Sequence, residues 1–161
     1  VSVKITGISN VLSNLQKVVE RVKREATQGT NEAADAVLEG GRSFVPVDTG
    51  NLSGSGYVVA KGKQTPPPLF SNTNRDGEES VSNSEIDDLY RRWDTEIAMQ
   101  RERTNVKGKH RAVIGFTTPY ALEQHENTGY LHPFGGESHY LRKGVAARSP
   151  EVIKIIVGNI K

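Results

Sequence analysis

The chain has no cysteine, a single methionine, a single tryptophan, and aromatics at only 6% of its 161 residues. The missing cysteine removes disulfide scaffolds, thiolate metal sites and thiol nucleophiles at once. Hydrophobic residues reach only 35%, below the usual globular share, so part of the chain is expected to lie outside the core. No apolar run approaches the ~20 residues a helix needs to cross a bilayer, and Val1 to Thr6 show no signal-peptide apolar region. An excess of one charge is also lacking. Against 21 Lys and Arg stand 19 Asp and Glu, a net +2, too little for a global field toward nucleic acid or anionic lipid. The expectation is a soluble protein made in a cytoplasm, of a size to form one domain.

What is present has clear periodicity. Val1, Val3 and Ile5 alternate with Ser2, Lys4 and Thr6 as in a short half-buried strand. Beyond Gly7, with Ser9 or Asn10 as cap, Leu12, Leu15, Val18, Val19, Val22 and Ala26 recur at helical spacing. The pattern resumes with Ala33, Ala34, Val37 and Leu38, so one long helix is expected, with Gly29 as a candidate kink and an end near Gly40-Gly41. Tyr57 to Ala60 reads as a strand. Residues 63 to 83 carry three consecutive prolines and a polar run, the marks of an insertion away from the core.

Residues 84 to 103 read as a helix with a capping-box-like start at Ser84 and Asp87 and a stripe of Ile86, Leu89, Tyr90, Trp93 and Ile97. Arg111 to Thr117 reads as a strand and residues 119 to 127 as a short helix. A last helical region begins at Tyr140 and restarts at Ser149-Pro150-Glu151, with Val152, Ile153, Ile156, Val157 and Ile160 as its buried face. Strands and helices do not alternate regularly. The fold class is therefore α+β: a small antiparallel sheet packed with a long N-terminal helix and a C-terminal helix, in one domain over residues 1–161, with 63–109 as an insertion.

The stretch Val45-Pro46-Val47-Asp48-Thr49-Gly50-Asn51-Leu52 invites two readings. An aspartic-protease reading of Asp48-Thr49-Gly50 needs two such loops sharing a proton, and the polar Asn51 and Ser53-Gly54 do not suit the apolar flanks of such a loop. The structural reading asks less. Pro46 ends the preceding helix, Asp48 folds onto later amides as an Asx-turn, Gly50 takes a positive φ, and Leu52 returns to the core. The nearby glycines at 54 and 56 precede a strand and not a helix, so no phosphate cradle is expected.

Three other groupings were weighed. His125, Glu126, His132 and His139 are of zinc-ligating type, yet Gly129 stands where a His-Glu-x-x-His helix needs its second histidine. Hydrogen bonding within a compact loop, with no metal, is the simpler reading. Arg101, Arg103, Lys107 and Lys109 form a local basic run that suits solvent, an acidic partner, or DNA in a ring lumen. The stripe through Leu89, Trp93 and Ile97 suits either the chain's own core or a subunit contact.

The run from Pro46 to Leu52 after an alanine-rich helix resembles the tail-completion (neck) family of long-tailed bacteriophages, the family of the minor tail component Z of phage lambda. A second block is similar in order: Tyr120-Ala121, His125-Glu126, His132-Pro133, then Tyr140-Leu141-Arg142-Lys143. The likeness covers roughly residues 5 to 60 and 110 to 147. Ser53-Gly54 departs from the basic residue and serine common there. The resemblance implies a non-enzymatic virion protein without cofactor, assembled in a host bacterial cytoplasm as a ring, expected as a hexamer, that joins head connector to tail. Leu89, Trp93, Ile97, Tyr120, Glu126, Tyr140 and Leu141 would then meet neighbouring subunits, while Arg101, Arg103, Lys107 and Lys109 face the lumen or an acidic partner. Pro46, Asp48, Thr49, Gly50 and Leu52 would hold shape. Partners would be the chain itself, connector or head-closure proteins, terminator or tube proteins, and DNA without sequence preference. A tail-terminator or head-closure ring is the near rival, and a zinc hydrolase on His125, Glu126 and His132 the distant one.

Overall fold

A 35-residue helix, α1 (Ile8–Arg42), is the longest element. It is followed by a one-turn helix α2 (Asn51–Gly54), strands β1 (Gly56–Ala60) and β2 (Lys63–Gln64), and helix α3 (Asn83–Thr104). Strand β3 (Ala112–Phe116), helix α4 (Ala121–Glu126) and helix α5 (Tyr140–Asn159) complete the chain. The computed structural model describes residues 7–105 and 109–160, so the strand expected over residues 1–6 lies outside the described residues. The sheet is antiparallel in the order β2-β1-β3, with Val58 opposite Ile114 and Ala60 opposite Ala112. The α+β class with a long first helix is what the structure has.

The centre of the molecule is β1, buried along its whole length because both faces of the sheet are covered. Val58 and Ala60 point to one face and pack with Ala34 and Leu38 of α1. Tyr57 and Val59 point to the other and pack with Trp93 and Ile97 of α3. Leu89, Trp93 and Ile97, expected at a subunit interface, are therefore enclosed in the chain's own core, Trp93 at 1% exposure. The Trp93 ring meets Tyr57 edge-on at 6.1 Å, and the Tyr57 hydroxyl donates to Glu96 at 2.8 Å. So α3, though it sits in the expected insertion, forms one wall of the core. Its capping box is Ser82 with Glu85 and not Ser84 with Asp87. The Ser82 N–H donates to the Glu85 carboxylate at 2.8 Å, so the cap stands two residues earlier than the sequence suggested.

α5 runs antiparallel along the second half of α1, and small residues set the distance. A β-carbon on Gly29 would lie 2.9 Å from the Ile156 Cα, and one on Gly144 would strike the backbone of Gly40 and Gly41. Gly29 is thus a close-approach position inside an unbroken helix and not a kink. α5 is likewise unbroken, with Pro150 inside it. Ser149 does not cap a second helix, because its hydroxyl donates to the Val145 carbonyl one turn back at 2.7 Å. Contacts to α1 on both sides of the proline, at Gly144 and Ile156, hold the two halves in line despite the missing N–H. The expected buried face of α5 is also redrawn: Ile153 and Val157 are exposed, at 69% and 62%, since only the side toward α1 is covered.

Candidate functional site: an apolar groove and an uncovered helix

The Pro46–Leu52 turn is built much as its residues dictate. Gly50 takes φ 81° and caps α2, and Leu52 is buried in a cluster with Val45, Ala121 and Tyr140. The turn's side-chain bond, however, is made by Thr49, whose Oγ1 accepts the Asn51 N–H at 3.2 Å, and not by Asp48. Asn51, which sequence reasoning passed over, is the best-connected residue here. Its Nδ2 donates to the Ser71 carbonyl and its Oδ1 accepts the Ser71 N–H, both at 2.7 Å. An amide side chain can imitate a backbone strand edge in this way, and Asn51 does so while buried. It ties the polar 63–83 stretch to the turn.

The second block of the resemblance closes on the same place. The Glu137 N–H donates to the Phe44 carbonyl at 2.8 Å, and Gly136, at φ 91°, lies against the Pro46 backbone where no side chain fits. Between turn and loop runs a groove of about 490 Å³. Its walls include Val47, Asp48, Tyr120, Tyr130, Leu131 and Phe134, with His132 and Pro133 on the loop side and Ser80-Val81 at one end. Leu131 is 91% exposed. Burial pushes the Tyr120 hydroxyl above its ordinary value, and the nearby Asp48 carboxylate pushes the same way. Tyr120 stays protonated at neutral pH and offers a ring and a hydroxyl, not a nucleophile. The arrangement suits docking of an apolar side-chain row.

The other expected site residues scatter. Tyr140 is buried, its hydroxyl donating to the Ala121 carbonyl at 2.7 Å, and Leu141 packs on Gly41 of α1. Both hold the protein together and have little surface left for a neighbour. Glu126 is exposed. Its carboxylate meets His125 Nδ1 at 2.8 Å and stands 3.8 Å from His139 Nε2, and the His125 hydrogen bond holds the carboxyl below its usual value. Among the described residues no three His, Asp or Glu side chains converge as metal ligands, and His132 lines the groove instead. Arg101, Arg103 and Lys109 are exposed, while Lys107 lies outside the described residues. Lys109 and His110 share a hollow with Lys23, Arg24 and Lys61, in which Glu20 and Glu32 also stand, a mixed and mildly basic grouping that no single sequence run displays.

A row of uncovered apolar side chains lies on α1. Ile8, Val11, Leu12, Leu15, Val18, Val19 and Val22 are 37 to 59% exposed, on one face of a helix segment that is exposed throughout. Sequence periodicity found most of this face, Leu12, Leu15, Val18, Val19 and Val22, without saying what covers it. Seven such side chains in one row are more than the singly scattered surface hydrophobics that need no explanation.

Comparison with protein-family models, curated proteins and solved structures finds no match. Among the described residues no helix is long and apolar enough to cross a membrane.

Proposed function

We propose that this chain is a structural protein of a bacteriophage neck, acting as a ring that joins the head connector to the tail. The observation that carries the reading is the uncovered apolar face of α1 from Ile8 to Val22. A helix segment this long and this exposed holds its shape chiefly as an extension of the packed half, because helix stability comes mainly from packing. Covering a half-exposed Val or Leu gains roughly 1 kcal/mol, so seven of them offer on the order of 5 kcal/mol per copy toward association. Such a face suits repetition around an axis, where closed symmetry sets a ring's diameter.

The phage setting rests on the likeness of the Pro46–Leu52 turn and the Tyr120–Lys143 block to tail-completion proteins. The structure supports it by joining these blocks, distant in sequence, around one groove. Lys61 and Lys109, which line one hollow, suit a lumen through which DNA passes without sequence readout. The test is native mass spectrometry of the purified chain. One closed oligomer of fixed copy number is the expected result, and a chain that stays monomeric at every concentration sinks the proposal. Omitting the protein from particle assembly then separates it from its near rival. Finished tails that fail to join heads indicate completion, and overlong tails a terminator.

A further inference from the structure

Two apolar surfaces lie at opposite ends of one rigid element. The exposed face of α1 ends at Val22, whereas the groove begins at Pro46, just past the helix's other end. From Leu15 to Arg42 the helix rises roughly 40 Å, so the face and the groove cannot meet within one chain. We infer that the α1 segment Ile8–Val22 of one copy docks in the Val47–Phe134 groove of the next copy. The inference rests on the ring reading and names its contact.

Charge favours this pairing over the alternatives. The segment from Ile8 to Val22 carries Lys17 and Arg21 against one acid, Glu20, a net +1, and Glu20 is already bound by Lys23. Asp48 is the acid in the groove's wall, and the Tyr130 hydroxyl of that wall donates to Glu123 beside it. Arg75 stands 5.6 Å from the Phe134 ring centre. Bundling the α1 segments on one another would bring like charges together. Placing each in the groove sets Lys17 and Arg21 near Asp48 and Glu123, which pairs opposite ones. The spacing also fits. Val11, Leu15, Val18 and Val22 recur as the row with which an amphipathic helix fills a groove. A surface at one end that fits a different surface at the other produces head-to-tail contacts, which close into a ring when the rotation allows.

The absence of cysteine makes the test clean. Full-length Leu15→Cys and Leu131→Cys chains are mixed and oxidised; both positions are exposed, so the core is left intact. A disulfide forms only if the two Cα atoms come within about 7 Å. The expected product is a covalent dimer of one chain of each kind, predominant over either self-pair. The double variant should give a ladder of covalent oligomers ending at the copy number seen by native mass spectrometry. Self-pairs of Leu15→Cys as the main product overturn the inference, since the helix faces then meet one another. An oligomer with no cross-link also overturns it while leaving the ring standing. A monomer overturns both.

Discussion

The two halves of α1 have the same helical geometry and opposite fates. From Gly29 to Gly41 the buried residues are glycine and alanine with only Val37 and Leu38 among them, and α5 lies so close that a β-carbon would strike its backbone. From Ile8 to Val22 the apolar residues are all large and aliphatic, and all exposed. Hydrophobicity alone does not tell the halves apart; side-chain size does. Small residues mark where the chain meets its own backbone. Large ones at regular spacing, with nothing of the chain over them, mark a surface held for something else.

The hardest blow to this contrast falls at the tight crossing. Gly144→Val places a side chain against the backbone of Gly40 and Gly41, which cannot rotate away. A loss of at least about 3 kcal/mol is expected in urea unfolding, because the whole α1–α5 contact must open. The sharper comparison uses one substitution twice. Leu38→Ala, at a site 4% exposed beside Val58, should cost about 3 kcal/mol. Leu15→Ala, at 56% exposure, should leave the dilute chain's stability within ~0.5 kcal/mol while weakening its assembly. Equal losses at both sites would mean that the first half of α1 is packed in the monomer.

The groove end of the contrast depends on Asn51. Asn51→Ala removes both bonds to Ser71 and strands a backbone pair, so a loss of about 1–3 kcal/mol is expected. Proteolysis within residues 63–83 should accelerate in the same variant, since Asn51 is what fastens that stretch to the turn.

Element types and order were largely legible in the sequence, because α1, β1, β3 and α3 have strong periods. What covers each face was not. The spacing of Leu12, Leu15, Val18 and Val22 is the same whether the row meets a core or a neighbour, and a period carries no information about its partner. The reverse error occurred at Trp93, read as a subunit contact on equal terms with a core residue because the flanking stretch is polar. Pro150 misled in another way. Local preference says helix start, but contacts at Gly144 and Ile156 outweigh it. The groove's two walls were visible as separate motifs. Their meeting depends on Gly136 packing against Pro46 across some 90 residues, which no local rule reports. Asn51 could have been suspected from a side chain able to satisfy both groups of a facing peptide unit.

The smallest expected effect sharpens the packed half at its far end. Glu32 on α1 accepts a hydrogen bond from Gln28 at 2.9 Å and another from Asn159 of α5 at 2.7 Å. These bonds, Gln28 first, hold its carboxyl below its ordinary value. A carboxyl depressed in the folded state contributes stability above its unfolded pKa and loses it as pH falls through the folded value. Glu32→Gln should therefore lower the melting temperature slightly at pH 7, the difference shrinking as pH falls below the ordinary carboxyl value and vanishing once the carboxyl is protonated in the folded state too. Melting curves of both chains across that range check it. A gap unchanged with pH would show that the carboxylate charge plays no part in fastening α5 to α1, leaving the close glycine contacts to do so alone.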